Sequence, residues 1–289
     1  MKIAYFIMAH HKPSLLLRLL NAIYTEENVY LIHIDSGAET EMHELVRNLS
    51  ESNSNIRILP SRYLSWGGWS LVQVELDAMT YLLNWDSEWR YYINLSGQDF
   101  PLARQGVIHD FLSRSNANYL TGKALNLDPS KKKNTQSYYW IEDCGMLLTM
   151  GDRKPFEEYF ASHITPYYGS QWKMITRSFA EYCTTSHLSF EMQDYYRYTF
   201  IPDEAFFQTL LMNCEFKDTH INNNYRYFQM QRSEEVFLRP RIVNSSDWQA
   251  LFKSEALFAR KFDDSVDSQI LSMIEMALGN KIDSKLKEL

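Results

Sequence analysis

Two carboxylates, Asp203 and Glu204, follow Pro202 at the start of a predicted helix. Proline is well tolerated at a first helical position, and the helix macrodipole stabilises negative charge in the turn that follows. This structural explanation is the commoner one for such a pair. The chemical interpretation is that Glu204 acts as a general base, for which it needs only to reach a hydroxyl group within hydrogen-bond distance.

A basic pair, Arg260 and Lys261, lies between two phenylalanines that are close in sequence. Burial of the two rings would fix the backbone and hold both cations in place. A guanidinium offers a planar fork and an ammonium a point charge, so together they can bind a pyrophosphate in place of a metal. Arg239 or Arg241 could belong to the same patch, and the sequence does not decide between them. The structural alternative is a solvated pair in front of a helix.

Several polar residues follow the ends of predicted strands. Ligands of open α/β sheets bind outside the carboxyl ends of the strands, so these side chains would face a ligand. They are His10 and His11 after the first strand, His33 and Asp35 at the end of the second, and Gln98 and Asp99 after the fourth. The histidine pair suits a base or a phosphate, and Asp35 suits a ribose or a uracil. The structural alternatives are a helix start at the histidines and a capped turn at Asp99.

The segment 66–69 is a turn of two glycines between two tryptophans, just before a helix predicted to be N-capped by Ser70. Glycine permits a positive φ and lets a ligand approach the backbone closely. We therefore include Trp66 and Gly67 among the candidate substrate-binding residues. Turn geometry alone would also explain the glycines.

Several catalytic motifs are missing from the sequence. There is no glycine-rich phosphate loop of the GxGxxG or GxxxxGK[ST] type, no HExxH and no GxSxG. There is also no Asp-x-Asp, the motif with which many sugar-nucleotide enzymes hold a divalent cation. No Cys/His cluster has the spacing of a zinc site. We therefore expect no metal and no other cofactor, and a bound diphosphate would have to be neutralised by side chains.

Composition limits the class of protein. The chain has 289 residues and a net charge of −7, which gives no overall positive field for non-specific nucleic-acid binding. Three cysteines without a CxxC motif indicate a reducing compartment rather than a disulfide framework. The apolar run at residues 3–8 is too short for a signal peptide or a membrane span. We expect a cytoplasmic protein, with peripheral association at the inner face of the cell membrane left open.

The elements that must position these residues alternate regularly in the first half of the chain. Strands are predicted at 3–8, 29–34, 56–59 and 91–95, and helices at 13–23, 40–49 and 70–83. This order predicts an α/β fold with an open, mostly parallel sheet and helices on both faces. The second half is predicted to contain a lysine-rich loop at 126–136, a helix at 202–211 and a terminal helix at 263–278. No linker or internal repeat is recognisable, so a single domain over residues 1–289 is expected.

Seven segments in this order resemble those of one enzyme family. They are AHHKPSLLLRLLNAIY, YLIHIDSGA, SWGGWSLVQVELDAM, WRYYINLSGQDFPL, GSQWKMITR, IPDEAFFQTLL and LFARKFD. The family is that of the core-2/I-branching β-1,6-N-acetylglucosaminyltransferases, which includes the peptide O-xylosyltransferases. One such segment would be weak support, whereas seven in the order of the family extend the resemblance over nearly the whole chain.

The resemblance implies a GT-A-type fold without the metal-binding motif and an inverting transfer from a UDP-sugar to an acceptor hydroxyl. It implies a nucleotide-binding half at 1–125 and an acceptor and catalytic half at 126–289. Glu204 would be the catalytic base, and Arg260 and Lys261 would bind the diphosphate. Further implied contacts are those of His10, His11 and Asp35 with the uridine, of Asp99 with the donor sugar, and of Trp172 with the acceptor. Gln98, next to Asp99, is also a candidate substrate-binding residue.

Two features of the animal members, an N-terminal membrane anchor and several disulfides, are not recognisable in this sequence, which therefore resembles the shorter bacterial members. The expected donor is UDP-GlcNAc or UDP-xylose. The expected acceptor is a glycan or lipid-linked saccharide of bacterial surface or capsular polysaccharide synthesis. Two alternatives are a glycoside hydrolase that uses Asp99 and Glu204 as its two carboxylates, and a non-catalytic carbohydrate-binding component. The basic pair argues against the hydrolase, which has no diphosphate to bind.

Overall fold

The computed structural model describes residues 1–125, 135–143, 145–160, 163–232 and 238–279. The loop predicted at 126–136 falls almost wholly outside this range, together with its three lysines. Cys144 and the last ten residues of the chain also lie outside it.

The secondary structure of the described residues alternates as predicted in the first half. The strands are β1 (Lys2–Ala9), β2 (Val29–Ile34), β3 (Ile56–Leu59), β4 (Trp89–Ser96), β5 (Asp99–Pro101), β6 (Asn118–Ala124), β7 (Tyr138–Asp143), β8 (Met146–Asp152), β9 (Tyr167–Thr176), β10 (His220–Ile221), β11 (Arg226–Tyr227), β12 (Met230–Arg232), β13 (Leu238–Pro240) and β14 (Phe258–Arg260). The helices are α1 (Pro13–Ile23), α2 (Thr40–Ser52), α3 (Ser70–Trp85), α4 (Gln105–Ser113), α5 (Phe156–Tyr159), α6 (Arg177–Thr185), α7 (His187–Tyr196), α8 (Phe206–Met212), α9 (Trp248–Lys253) and α10 (Ser268–Ala277).

Seven strands form one sheet in the order β10-β6-β9-β4-β1-β2-β3. The pairs β1–β2, β2–β3 and β6–β10 are parallel. Strand β9 runs antiparallel to both β4 and β6. The predicted open α/β sheet is confirmed. The antiparallel strand was not foreseen, because the alternation of local elements does not show which strand a late segment joins.

The chain divides into two compact units that interleave along the sequence. The first comprises Met1–Pro60, Asn94–Ser115 and the described residues from Tyr225 onward. The second comprises Ser61–Ile93 and the described residues from Asn116 to Asn224. Segments far apart in the sequence thus belong to the same compact unit, and the functional division into halves at 1–125 and 126–289 stays a prediction.

The first unit is built on the parallel strands β1, β2 and β3. Every residue of β2, and every residue of β1 after Lys2, is buried, as is usual for parallel strands. Helix α1 begins at Pro13, and its leucines at helical spacing are buried except for Leu17, which is half-buried. In the same unit β14 pairs with both β5 and β11.

The second unit contains the antiparallel pairs of β9. Helix α8 packs against β9 and β6, α6 packs against β9, and α3 packs against α6. No described helix is both long enough and apolar enough to cross a membrane.

Three helix starts differ from the predicted ones. Helix α8 starts at Phe206 and not at 202, because Pro202–Glu204 forms a separate 3₁₀ turn. Ser70 is the first residue of α3 and not its N-cap, because its N–H group donates to Glu142 Oε2 of β7 at 2.9 Å. The Ser65 N–H group donates to the other carboxylate oxygen at 3.3 Å. A carboxylate distant in sequence therefore caps this helix. Helix α10 starts later than predicted, at the point where the Asp267 side chain accepts a hydrogen bond from the Ile270 N–H group.

Candidate functional site

The basic pair lies in the first unit, at the end of β14. Strand β14 pairs antiparallel with β5, so that Arg260 lies opposite Asp99. Phe258 and Phe262 are fully buried, which confirms that rings on both sides of the pair fix this backbone. The Phe262 N–H group donates to Gln98 O at 2.9 Å, and Gln98 Nε2 donates to Phe262 O at 3.2 Å. Gln98 thus ties the segment after β4 to the segment that carries the basic pair.

Asp99 is fully buried between two guanidinium groups. Its Oδ2 accepts hydrogen bonds from Arg226 Nη1 at 3.0 Å and from the Ser96 N–H group at 2.7 Å. Its Oδ1 lies 3.4 Å from Arg260 Nε. Burial lowers the pKa of Arg226 to about 10, an effect that the charge of Asp99 opposes. Arg226 was missed in the sequence because nothing near it indicates that it reaches a carboxylate at a strand end.

Lys261 makes no ion pair with a carboxylate of the described residues. Burial lowers the pKa of Lys261, and the positive charge of Arg260 lowers it further. A half-buried ammonium that is repelled by its neighbour is stabilised when an anion binds. The diphosphate of a nucleotide would supply such an anion.

The histidine pair and Asp35 interact electrostatically with this lysine. The ring centroids of His10 and His11 are 4.0 Å apart. Burial lowers the pKa of His10, and the charge of Lys261 lowers it further, whereas Asp35 opposes the shift. Burial and the neighbouring His10 lower the pKa of His11 to about 4. The structure therefore places these four predicted residues in one region of the first unit, with both imidazoles neutral at pH 7.

The lowered pKa of His11 makes the stability of the fold depend on pH. Its folded pKa of about 4 lies below the ordinary value of 6.5, so the unfolded chain binds a proton first as the pH falls. Stability is therefore lost between pH 6.5 and 4, by less than the roughly 3 kcal/mol of the full shift, because solvent screens this half-buried group. We expect His11→Gln to flatten the dependence of the unfolding free energy on pH in this window, as measured by urea denaturation. An unchanged slope would refute the assignment, and the exposed His187→Gln is the control.

Arg241 is engaged by other side chains of the first unit. Its Nη1 donates to Asp247 Oδ2 at 2.8 Å, and its Nε donates to Gln229 Oε1 at 2.8 Å. The hydrogen bond to Asp247 raises the pKa of Arg241. Arg239 is exposed. Its charge helps to lower the pKa of Lys261, but less than burial and the charge of Arg260 do. A role of either arginine at a diphosphate stays a prediction.

The acidic pair lies in the second unit, in a single 3₁₀ turn at Pro202–Glu204 that we call the acidic turn. Pro202 and Asp203 are buried, and the Glu204 side chain is exposed. Burial, together with the charge of Glu204, raises the pKa of Asp203 to about 7. Protein surrounding the Glu204 carboxyl also raises its pKa, although the side chain reaches solvent. An accessible carboxylate with a pKa moved toward neutrality has the properties of a general base.

The backbone that leads into the acidic turn is strained. Ile201 has φ 54° and ψ 55°, in the left-handed region that a β-branched residue rarely adopts. Such a conformation costs on the order of 1–3 kcal/mol and persists only where neighbours hold it. The Ile201 N–H group donates to Gly67 O at 2.9 Å. Gly67 therefore helps to fix the segment that presents Glu204.

Gly67 has φ +77°, and a Cβ atom added to it would lie 2.7 Å from Phe200 Cε2. The position therefore requires glycine for turn geometry and for packing. The Trp66 side chain is 63% exposed and lies edge-on to Phe200, with ring centroids 5.7 Å apart. Direct contact of Trp66 or Gly67 with a substrate stays a prediction.

We expect Gly67→Ala to lower the free energy of unfolding by about 1–3 kcal/mol, because it adds both a strained φ and a contact with the Phe200 ring. Urea denaturation measures the change. Gly106→Ala is the matched control, since a Cβ atom there meets nothing within 4 Å and lies in α4. The control should raise stability by about 0.4–1 kcal/mol. Equal stability of the two variants would contradict this account of the turn.

A fully buried ion pair, missed in the sequence, lies in the same unit as the acidic turn. Lys173 Nζ lies 2.7 Å from Glu75 Oε2, and Tyr92 Oη donates to the same oxygen at 3.1 Å. Burial lowers the pKa of Lys173. The negative charge of Glu75, and to a smaller extent that of Asp203, opposes this shift. A glutamate on the apolar face of α3 is the one sequence signal that could have indicated it.

Trp172 lies in β9 and is 5% exposed, so its ring packs mainly in the core. Its predicted contact with an acceptor stays a prediction. A separate pocket of about 460 Å³ in the second unit is lined in part by Trp69, Glu142 and Arg197. Neither Trp172 nor Glu204 lines that pocket.

The predicted residues thus fall into two centres. The first unit holds His10, His11, Asp35, Gln98, Asp99, Arg241, Arg260 and Lys261. The second unit holds Trp66, Gly67, Trp172 and Glu204. In the described part of the chain, no three His, Cys, Asp or Glu side chains are grouped so that they could hold a metal ion.

Comparison with known proteins identifies similar sequences. The family model of the Core-2/I-Branching enzyme matches residues 3–251. Xylosyltransferase 1 of Homo sapiens is 30% identical over 298 residues, which cover 96% of this chain and 30% of that protein. Xylosyltransferase 2 of Homo sapiens is 29% identical over 300 residues, with 96% and 34% covered. The chain therefore spans about a third of the length of these relatives.

Two solved structures show a more distant similarity. Mouse xyloside xylosyltransferase 1 in its apo form has a TM-score of 0.40 at 10% identity, with 90% of this chain and 97% of that chain covered. The WbbM bifunctional glycosyltransferase in its apo form has a TM-score of 0.43 at 10% identity, with 96% and 50% covered. Scores this low support no inference about function.

Proposed function

Because the chain belongs to the Core-2/I-branching enzyme family, we propose that it is a glycosyltransferase that moves a sugar from a UDP-sugar to a hydroxyl group of a glycan acceptor. The observation that carries the proposal is the state of Lys261. This half-buried ammonium has no carboxylate partner in the described chain and is repelled by Arg260. Such a cation is suited to a diphosphate.

The proposed role of the basic pair is to stabilise the leaving group. As the bond from the sugar C1 to the UDP oxygen breaks, negative charge grows on the β-phosphate. Arg260 and Lys261 are fixed by the surrounding strands, so they stabilise that charge without reorganising. The neutral imidazoles of His10 and His11 can exchange hydrogen bonds with the nucleotide, and Asp35 can accept one from the ribose or the uracil.

The proposed role of Glu204 is that of the base in a single displacement. It takes the proton of the acceptor hydroxyl while that oxygen attacks C1 of the sugar. UDP leaves from the opposite face, so an α-linked donor gives a β-linked product. The raised pKa of Glu204 supports this role, because a stronger base accepts the proton more readily.

We propose UDP-xylose as the first donor to test, because the relatives named above are xylosyltransferases, and UDP-GlcNAc as its competitor. The proposed acceptor is a glycan or lipid-linked saccharide of polysaccharide synthesis on the cytoplasmic side of the membrane. We also propose that transfer needs no divalent metal, since the two cations occupy the role that a metal has in related enzymes.

A thermal-shift panel of UDP-sugars, with and without EDTA, tests the proposal. At a hundredfold excess over Kd, the preferred donor should stabilise the protein by about 2.7 kcal/mol, or roughly 5 °C in Tm. EDTA should leave both the shift and the transfer unchanged. Loss of the shift on chelation would show that a metal site was missed. Release of free sugar from glycans without any nucleotide would favour the hydrolase instead.

A further inference from the structure

The cluster around Asp99 has one carboxylate and two guanidinium groups. The side chains of Asp99 and Arg226 are completely inaccessible, whereas that of Arg260 is 14% exposed. Arg226 therefore cannot touch a ligand, but Arg260 can. A buried ion pair is a weak source of stability, because apolar side chains of similar volume often stabilise a fold as well or better. The presence of Arg226 in this core calls for another reason.

The two arginines contact Asp99 unequally. Arg226 donates to Asp99 Oδ2 at 3.0 Å, and its other terminal nitrogen donates to Asn94 O at 3.0 Å. Its guanidinium carbon also lies 5.2 Å from the centroid of the Phe258 ring. Arg260 approaches the other oxygen of Asp99 only to 3.4 Å. Asp99 is thus bound more closely by the arginine that cannot reach a ligand.

The strand pairing keeps both arginines near this carboxylate. Arg260 lies opposite Asp99 across the β5–β14 pair, and Arg226 lies beside Phe258 across the β11–β14 pair. If Arg226 were absent, the nearest cation to Asp99 would be Arg260. The carboxylate would then hold the Arg260 guanidinium in competition with any diphosphate.

We propose that Arg226 is a positioning residue that binds Asp99 and so leaves the charge of Arg260 available to the diphosphate of the nucleotide. This inference rests on the proposed function, since it matters only if Arg260 binds that group. It also gives Asp99 a role that needs no contact with the donor sugar. The charge of Asp99 comes last among the effects on the pKa of Lys261, after burial and the other charged neighbours. The loss of Arg226 should therefore change the interaction of Lys261 with the diphosphate little.

Titration calorimetry with UDP and with uridine tests the inference. Arg226→Gln should weaken UDP binding by about 10–100-fold and leave uridine binding within about threefold of the parent protein. The difference between the two ligands isolates the diphosphate. A role in folding alone would weaken both ligands equally, and that result would overturn the inference, as would unchanged UDP binding.

The double variant Asp99→Asn/Arg226→Gln supplies a second criterion. It removes the carboxylate that competes for Arg260, while the amide side chains keep hydrogen-bonding groups at both positions. UDP affinity should return to within about threefold of the parent value. A double variant as weak as Arg226→Gln would show that loss of the Asp99 charge brings no recovery and would reject the mechanism. The double variant leaves no buried carboxylate without its partner, so it keeps the test decisive if the single variant folds poorly.

Arg18→Gln is the matched control in the same unit. Arg18 Nε lies 2.8 Å from Glu275 Oε1, and this ion pair does not include Asp99, Arg226 or Arg260. It should change neither affinity. If the parent protein itself binds UDP no better than uridine, the proposed function fails. If the parent discriminates between them and Arg226→Gln discriminates equally well, only the inference about Arg226 fails.

Discussion

Glu204→Gln should lower the rate of sugar transfer by about 10²–10⁴-fold while leaving UDP affinity unchanged. The amide has almost the size of the carboxylate but cannot accept the proton of the acceptor hydroxyl. Glu204 is exposed and its proposed role is to accept the acceptor proton, so the substitution should not alter nucleotide binding. Initial rates of transfer and calorimetric titration with UDP measure the two quantities. Normal transfer with weakened UDP binding would reverse the assignment.

The pH profile gives an independent criterion for the same residue. A base must be deprotonated to act, so kcat/KM should rise with pH through the pKa of Glu204, which the protein surrounding its carboxyl raises above the ordinary value. The acidic limb should therefore lie closer to neutrality than that of an exposed glutamate, and it should disappear in the residual activity of Glu204→Gln. Glu181→Gln, at an exposed position of α6, should keep both the rate and the limb.

Features with a local cause were predictable from the sequence. Helix α1 begins at Pro13 as predicted, because the fixed φ of proline and the spacing of the following leucines both act within one or two turns. The burial of Phe258 and Phe262 was likewise predictable, since two large rings close in sequence are rarely both exposed. The local sequence was therefore sufficient to predict the backbone next to the histidine pair and around the basic pair.

Features that depend on distant segments were not predictable. The hydrogen bond from Arg226 to Asp99 joins residues 127 positions apart, and the cap of α3 by Glu142 joins residues 72 positions apart. No local pattern reports such a contact, because the strand pairing that creates it is set by packing of the whole sheet. The same limit applies to the pairing of β14 with β5, which lies far from it in the sequence.

Backbone strain is a further property that could not be predicted from the amino-acid composition. Lys12, Ile201 and Tyr225 are the non-glycine residues with positive φ in the described part of the chain. Each lies next to a residue of interest: Lys12 follows His11, Ile201 precedes the acidic turn, and Tyr225 precedes Arg226. Strain of this kind is concentrated at functional sites, where the surrounding structure holds it. Its distribution here is independent support for the two centres.

Lys261→Met should lower the rate of transfer by about 10²–10³-fold, because the fixed positive charge next to the β-phosphate is lost. It should weaken the binding of UDP but not of uridine. The fold should not be destabilised, since Lys261 has no ion pair in the described chain and is repelled by Arg260, and methionine keeps most of its apolar contacts. The variant should therefore be as stable as the parent protein toward urea, or more stable.

This combination separates a binding role from a structural one. Substitution of a residue that is needed for folding lowers stability and activity together. A charge that is needed for a ligand destabilises the protein when the ligand is absent, so substitution of that residue raises stability and lowers activity. Lys253→Met, at an exposed position of α9, is the control and should change neither property. If Lys261→Met transferred sugar at the parent rate and bound UDP as tightly, the diphosphate would have to be neutralised elsewhere, and a metal-free mechanism through this pair would be rejected.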